Sequence, residues 1–391
     1  MSDNPKIYSF DSMKNIVARI RDDLRTQDFV LLFAYNGTGK TRLSMEFKDA
    51  GKTKRKRPMR AGDNSGQSLV SEDILRDTLY YNAFTEDLFS WDNDLDGDNE
   101  RVLRINSESR FFSGLKELAL EEKISDYFER YSKINFRIDY EGWTVSFSQG
   151  DATNIKVSRG EENLFIWCVF LAICELVIEG SVSYKDIKYL YIDDPISSLD
   201  DNNAIAVASD LAKLLRKGHD RIKAVISSHH GLFFNVMFNE LRSSRSDSGS
   251  KSKCKSYFYH RVPDSDKYTL RSTDDTPFYL HVAMLSELNN AAKTGQLYTY
   301  HFNMLRSILE KTATFFGYDD FSACILGVDD EVLYARALNL LSHGKYSIYE
   351  PREMGDDTKD LFRRILQAFE TRYTFNLPEI NAEKPKEELN I

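Results

Sequence analysis

The sequence predicts an α/β protein with a largely parallel sheet, followed by a mainly α-helical C-terminal region, and three observations carry that prediction. The apolar run Phe29 to Phe33 stops at a glycine-bearing loop, Ala34-Tyr35-Asn36-Gly37-Thr38-Gly39-Lys40-Thr41, behind which a helical pattern starts. Two further short β-rich runs, Tyr189 to Ile192 and Ala224 to Ser228, are separated by the helix-like stretch Asn203 to Arg216. Alternation of strand, helix and strand calls for parallel pairing, because the crossover helix brings the chain back to start the next strand in the same direction. Residues 277 to 373 then read almost wholly helical, with breaks at Gly317, Gly327 and Gly344.

In chain order, Phe29 to Phe33 is apolar at every position, as a strand covered on both faces should be. A helix is expected from about Lys40 to near Gly51. The next segment, 51–68, is polar and basic, with Lys52, Lys54, Arg55, Lys56, Arg57 and Arg60, and is expected as an exposed insertion. Order returns over Ile74 to Phe89. The acidic run Asp92 to Asp98 resembles a calcium loop only superficially, since Leu103 stands where the closing glutamate would be. Helical spacing over Phe111 to Lys133 is followed by strand-like alternation over Asn135 to Phe147. Asn163 to Gly180 is rich in Leu, Phe, Ile, Val and Trp, but Glu175 and Glu179 interrupt it and its length is marginal for a bilayer, so a buried helix is expected. A Ser-rich loop, 242–256, carries Arg242, Arg245, Lys251, Lys253 and Lys255. Either basic run fits a solvated loop as readily as an RNA or partner contact. The expected organisation is a first domain over 1–265 and a helical one over 266–391.

Bulk properties narrow the class. A chain of 391 residues has room for two or three domains of roughly 150 residues each. With 41 % hydrophobic and 13 % aromatic residues, it has the composition of a packed globular protein and not of a disordered one. Cys168, Cys174, Cys254 and Cys324 form no Cys-x-x-Cys pair, and the N-terminus has no basic lead running into an apolar stretch. A reducing, cytoplasmic location without a membrane span is therefore expected. The net charge of −9 excludes a surface that is basic throughout, so any nucleic-acid contact must rest on local fields.

The glycine-bearing loop has the chemistry of a phosphate cradle. Gly37 and Gly39 let backbone N–H groups curl around anionic oxygens, Lys40 adds charge, and the Thr41 hydroxyl suits Mg²⁺. Ala34 replaces the usual first glycine. Asn36 and Thr38 complete the nucleotide-binding stretch. Asp193 closes an apolar strand, where a carboxylate holds the magnesium of a bound nucleotide.

The stretch Val157-Ser158-Arg159-Gly160-Glu161-Glu162 resembles the signature sequence of ABC-type ATPases. The order of phosphate loop, signature and acidic strand end is similar to that of an ABC-type P-loop NTPase head with a mixed or parallel sheet. This resemblance implies that Asp194 stands where a glutamate, one methylene longer, usually polarises the attacking water, so that either hydrolysis is slow or the water is held differently. His229 is placed like the switch histidine that senses the γ-phosphate, with His230 as the alternative. Ser158, Arg159, Gly160 and Glu161 open an apolar helix and would meet the γ-phosphate of nucleotide held by a second protomer, which implies a homodimer or higher oligomer with Asp200 near the seam. No heptad run separates the first two motifs, which excludes the long coiled-coil arms of condensin and double-strand-break-repair heads.

Three phrases resemble the PrrC-type anticodon nucleases over nearly the whole chain: the phosphate loop continuing into Arg42-Leu43-Ser44; Tyr80-Tyr81-Asn82-Ala83-Phe84-Thr85-Glu86-Asp87-Leu88-Phe89; and Tyr300-His301-Phe302 leading to Leu305-Arg306 and Glu310-Lys311-Thr312-Ala313. The resemblance implies a nucleotide-gated, metal-independent endoribonuclease that cuts tRNA, chiefly the lysine acceptor, 5′ of the wobble base, leaving a 2′,3′-cyclic phosphate and a 5′-OH. It implies Arg306, Glu310 and His343 as catalytic residues, and places anticodon reading near Asp274 and Asp275. ATP or GTP with Mg²⁺, dTTP as a stabilising ligand, a type I restriction-modification complex as partner and a role as an antiviral toxin are implied in the same way. From the residues alone, Arg306 and Glu310 equally fit an i,i+4 surface ion pair, His343 a charge at a helix end, and Asp274 and Asp275 a polar turn. The competing function is a nucleotide-switched sensor or scaffold, similar to DNA-repair heads, without nuclease activity.

Overall fold

In the computed structural model, Phe29–Phe33 forms strand β2, buried at every position. Residues 6–57, 71–82, 88–93, 101–109, 112, 120–195, 201–242, 252–261, 267–273, 279–325 and 353–373 are described. The chain divides into two compact units, Phe10–Tyr268 and Met1–Ser9 with Thr269–Ile391.

In the first unit, β2 pairs in parallel with β11 (Lys223–Ser228) on one side and β12 (Cys254–Arg261) on the other. The sheet continues through β10 (Tyr189–Asp193) to β5 (Thr78–Tyr81), again in parallel. The two sequence runs that predicted parallel pairing are thus direct neighbours, joined through α5 (Asp201–Gly218). Their register sets Asp193 opposite Ser227. The sheet's carboxyl edge therefore collects the ends of β2, β10 and β11, which is where parallel α/β sheets bind ligands.

The predicted helix behind the loop is α2 (Lys40–Ala50), stopped at Gly51. The segment beyond it differs from expectation: Lys52–Arg57 is strand β3, antiparallel to β4 (Ser71–Arg76), so the insertion begins and ends as a hairpin, with residues 58–70 outside the described ones. Register sets Lys52 opposite Arg76 and Arg57 opposite Ser71, a long-range pairing that local apolar alternation does not reveal. The Ser-rich loop lies outside the described residues from 243 to 251, but Cys254 onward is strand β12.

A second, four-stranded antiparallel sheet has the order β6-β7-β9-β8, formed by Phe89–Asn93, Arg101–Ile105, Thr144–Ser148 and Asn135–Asp139. Asp92 and Asn93 of the acidic run belong to strand β6, and 94–100 lie outside the described residues. The alternation over 135–147 proves to be two strands joined by a turn. Of the helical run 111–133, Leu120–Phe128 is helix α3.

Helix α4 (Arg159–Glu179) accounts for the long apolar stretch. Tyr81 of β5 meets its Trp167 at 5.2 Å and its Phe170 at 4.6 Å between ring centroids. Phe165, on another side, contacts Phe128 of α3 at 5.6 Å, Phe136 of β8 at 5.0 Å and Phe147 of β9 at 5.2 Å. A helix covered by a parallel sheet on one side and by an antiparallel sheet and α3 on another must be apolar all round. Among the described residues no helix is long and apolar enough to cross a membrane.

In the second unit, β1 (Ile7–Phe10) neighbours β13 (Tyr268–Ser272), and Ser272 N donates to Lys6 O at 3.0 Å. The other elements among its described residues are helical: α7 (Tyr279–Thr294), α8 (Tyr300–Phe316), a short 3₁₀ turn over Phe321–Ile325, and a helix over Asp356–Arg372. Breaks fall at Gly295 and Gly317, both with positive φ. Gly327 and Gly344 lie outside the described residues. Phe302, Leu305 and Leu309 of α8 are buried together with Phe362, Ile365 and Phe369 of the last helix.

His260 in β12 is buried, and burial lowers its pKa from 6.5 to about 4. The unfolded chain takes up a proton as pH falls through its ordinary value, while folded His260 stays neutral until about 4. Its contribution is therefore complete above the unfolded pKa and is lost as pH falls across that window. Urea unfolding at about pH 7 and about pH 4 should show the parent losing about 2–3 kcal/mol more than His260→Gln between the two. Parallel pH profiles would refute this.

Candidate functional site

The loop after β2 is shaped by two glycines in the left-handed region, Gly37 at φ +84° and Gly39 at φ +94°. A Cβ on Gly39 would lie 3.5 Å from Met13 Cε and 3.7 Å from the Tyr259 hydroxyl, ordinary contact distances. The backbone angle, and not lack of space, is what favours glycine there. Ala34, at the position usually held by glycine, is buried, and its N–H donates to Ser228 O at 3.1 Å.

Lys40, the first residue of α2, is buried and curls back over the loop. Its Nζ lies 3.3 Å from Ala34 O, 3.2 Å from Tyr35 O, 3.3 Å from Asn36 Oδ1 and 3.0 Å from Asp194 Oδ2. Asp194 also accepts from the His229 backbone N–H at 2.9 Å, and its Oδ1 lies 2.7 Å from His229 Nδ1. Its φ of +49° places a non-glycine residue in the left-handed region, which asparagine and aspartate tolerate best. Burial would raise the Asp194 carboxyl, but the hydrogen bond from His229 and the charge of Lys40 outweigh it and hold the group below its ordinary value. The lysine of the loop is thus already charge-compensated, and an entering phosphate competes with Asp194 for the same Nζ.

Asp193 behaves in the opposite way. It is 2 % exposed and accepts from Ser227 Oγ at 2.6 Å. Burial pushes its carboxyl up, beyond what the hydrogen bonds from Ser227 and Thr41 recover. Thr41 and Asp193 are therefore within reach of each other and offer the hard oxygen donors that Mg²⁺ prefers, an incomplete set that water and phosphate oxygens would have to complete. Adjacent carboxyls are driven apart in proton affinity by different partners. This head, with loop, acidic strand end and parallel sheet, is an α/β P-loop NTPase head.

The two adjacent histidines are separated by geometry. His229 faces Asp194, whereas His230 Nδ1 accepts from Phe233 N at 3.3 Å and so caps α6 (Gly231–Arg242). The support behind Asp193 was not visible to motif reasoning. Ser44 Oγ is 2.8 Å from Tyr80 OH, Asn82 Nδ2 donates to the same hydroxyl at 2.7 Å, and burial pushes the Tyr80 phenol up to about 12. The only available signal was polar residues at strand ends, Ser227 and Asn82, in otherwise apolar runs.

At the signature stretch, Ser158 is the N-cap of α4 and forms a reciprocal capping box with Glu161. Ser158 N and Oγ donate to Glu161 Oε2 at 2.8 and 2.7 Å, and Glu161 N donates back to Ser158 Oγ at 3.3 Å. Gly160 lies in the first turn, Arg159 points into solvent, and buried Glu162 accepts from Trp91 Nε1 at 3.0 Å. These residues find their partners within their own capping turn and β6. In the second unit, Arg306 Nε donates to Glu310 Oε1 at 2.7 Å on α8, with the Arg306 guanidinium 5.5 Å from the Phe321 ring. Glu310 is about half exposed. Asp200, Asp274, Asp275 and His343 lie outside the described residues.

The Tyr259 hydroxyl, beside Gly39, is buried without a hydrogen-bond partner among the described residues. Tyr259→Phe keeps the ring contact with Tyr268 and removes that cost. It should raise the unfolding free energy by about 1 kcal/mol in denaturant titrations, and a loss of stability would contradict the arrangement.

Comparison with known proteins bears on the family of the chain. A family model described as an AAA domain matches residues 116–370. Among curated proteins, an anticodon nuclease of Escherichia coli is 35 % identical over 345 residues, covering 81 % of this chain and 82 % of that protein. Among solved structures, an Smc head domain with coiled coil and joint from Pyrococcus yayanosii is 15 % identical, with TM-score 0.26 over 40 % of this chain and 26 % of that one. An SmcHead bound to the C-winged helix domain of ScpA is 12 % identical, with TM-score 0.32 over 63 % and 91 %. At such TM-scores these likenesses carry no argument about fold or function. The sequence identity, extended over four-fifths of both chains, is decisive by itself: this chain belongs to the family of PrrC-type anticodon nucleases.

Proposed function

We propose that the protein is a nucleotide-gated anticodon nuclease that cleaves tRNA, with tRNA-Lys as the first substrate to test, 5′ of the wobble base. The observation that carries this reading is the Arg306–Glu310 pair, held at 2.7 Å on one face of α8 in a chain of this family. An ordinary i,i+4 ion pair contributes only about 0.3–0.5 kcal/mol to a helix, so stability alone gives little reason for it. Its half-exposed carboxylate is open to substrate, and its guanidinium is steadied over Phe321.

In the proposed reaction, a base draws the proton from the ribose 2′-OH, whose oxygen attacks the adjacent phosphorus, and an acid protonates the departing 5′-oxygen. Glu310 and His343 form this acid/base pair in either order, and Arg306 stabilises the charge that builds on the phosphorane. The products are a 2′,3′-cyclic phosphate and a 5′-OH, with no metal ion taking part in the cleavage step. Asp274 and Asp275 are proposed to contact the anticodon.

The head supplies the gate. Asn36 to Thr41 cradle the phosphates of ATP or GTP, Thr41 and Asp193 hold its Mg²⁺, and Asp194 and His229 position the attacking water and sense the γ-phosphate. Phosphate entry draws Lys40 from Asp194 and frees that carboxylate for water, so binding and readiness for hydrolysis are coupled through one ion pair. Ser158 to Glu161, with Asp200, would complete the site of a second protomer in a homodimer. Family membership supports the further proposals of a cytoplasmic antiviral toxin, dTTP as a stabilising ligand and a type I restriction-modification complex as partner.

Incubation with total bacterial tRNA and a nucleoside triphosphate should give anticodon-loop cuts with cyclic-phosphate ends. Glu310→Ala and His343→Ala should each lower the single-turnover rate by about 100-fold or more, and parent-like cutting by either would refute its role. Lys40→Ala, which leaves Asp194 without its partner, should fold with a lower melting temperature and abolish the rise that ATP or GTP gives the parent. An undiminished rise would refute the phosphate-loop assignment.

A further inference from the structure

The C-terminal end of α8 exposes two consecutive aromatic side chains, Phe315 at 84 % and Phe316 at 50 %. The same helix buries Phe302, Leu305, Ile308, Leu309 and Ala313, so its apolar stripe is satisfied without them. A single exposed ring means nothing; here several planar groups are ordered against each other. Phe315 meets Phe316 edge-on at 5.3 Å and 85°, Phe316 stacks on Tyr318 at 5.8 Å and 17°, and Phe316 also meets Tyr373 at 5.2 Å and 37°.

Two devices hold the group in place. Gly317, at φ +72°, turns the chain so that Tyr318 N donates to Ala313 O at 2.9 Å, a helix-ending turn that folds the tyrosine back beside Phe316. Arg372 donates through Nη1 to Ala323 O at 2.7 Å, with its guanidinium 5.8 Å from the Tyr318 ring and 5.6 Å from that of Tyr373. The result is a set of rings and a guanidinium plane held against one another, with Phe315 and Phe316 exposed. Single-stranded RNA loops are recognised in this way, by unstacked bases laid on aromatic or arginine planes.

The position fits the same substrate. Phe316 lies six residues beyond Glu310 on one helix, about 9 Å along its axis, close enough for one RNA loop to span both. The local charge is mixed: Arg372, Arg306 and Lys311 against Asp319, Asp320 and Glu310, with Asp320 already accepting from Ser322 N at 2.7 Å. Attraction for phosphate is therefore weak here, and stacking is the interaction on offer.

We propose that Phe315, Phe316 and Arg372 form a stacking platform for unpaired nucleobases of the RNA loop that this protein cuts. The proposal rests on the anticodon nuclease reading and adds to it a site for the bases flanking the scissile bond. Stacking accepts any base, so the platform contributes affinity and splays the loop, while identity is read elsewhere.

The test uses the full chain and a tRNA-Lys anticodon stem-loop, its loop riboses 2′-O-methylated to block cleavage, with 2-aminopurine placed at one loop position at a time. The parent should quench one or two loop positions. Phe315→Leu/Phe316→Leu, which keeps apolar side chains but removes the rings, should lose that quenching and bind on the order of tenfold more weakly per stacked base, with an unchanged dependence on salt. Phe315→Trp/Phe316→Trp should restore both. Parent-like quenching and affinity in the leucine variant would overturn the platform while leaving the nuclease reading intact. Unchanged RNA affinity with a smaller sedimenting species would also overturn it, making the patch a protein–protein surface. A parent that neither binds nor cuts any tRNA would remove the nuclease reading itself, and the platform with it.

Discussion

The buried contact between Lys40 and Asp194 organises the nucleotide head. It joins the first residue of α2 to the residue just beyond β10, and through His229 to the end of β11, so three elements at the sheet's carboxyl edge are tied by one lysine and one carboxylate. Removal of either partner would leave a charge in a place where burial penalises it. The register that puts Asp193 opposite Ser227 depends on the same edge. Two adjacent carboxyls consequently meet opposite surroundings, Asp193 raised by burial and Asp194 lowered against burial by a histidine and a lysine.

Helix α4 carries the structural load of the same unit. Its rings reach Tyr81 of the parallel sheet and Phe136 and Phe147 of the antiparallel one. The first turn of that helix is also the signature stretch. A rigid, fully packed helix thus presents the Ser158–Glu161 capping box at its exposed end, and any rearrangement there acts on a body anchored in both sheets.

The helical unit follows a different economy. Its core joins α7, α8, the 3₁₀ turn and the last helix, and its chemically interesting groups lie outside that core: the Arg306–Glu310 pair and the ordered aromatic group at the end of α8. A helix that satisfies its apolar stripe with Leu305 and Leu309 leaves its other faces free for polar and aromatic residues with no part in folding.

Motif residues in the sequence were enough for the nucleotide head, because a phosphate loop, a strand-terminal aspartate and a following histidine are each defined by a few adjacent positions. The parallel neighbours β10 and β11 were legible for the same reason, as short apolar runs bracketing a helix. The sequence also determined the family through phrases spread along the chain. Tertiary structure alone decided the rest. The basic stretch after α2 became a strand because it pairs antiparallel with Ser71–Arg76, about 20 residues later, and no local window contains both. Ser227, Ser44 and Tyr80 took up positions around Asp193 because three strands and a helix converge there. His229 rather than His230 met Asp194 because the turn after β11 sends consecutive side chains in different directions. Local chemistry is written in adjacent residues; which groups face each other is settled by long-range pairing, and that is a property of the packed sheet and not of the string.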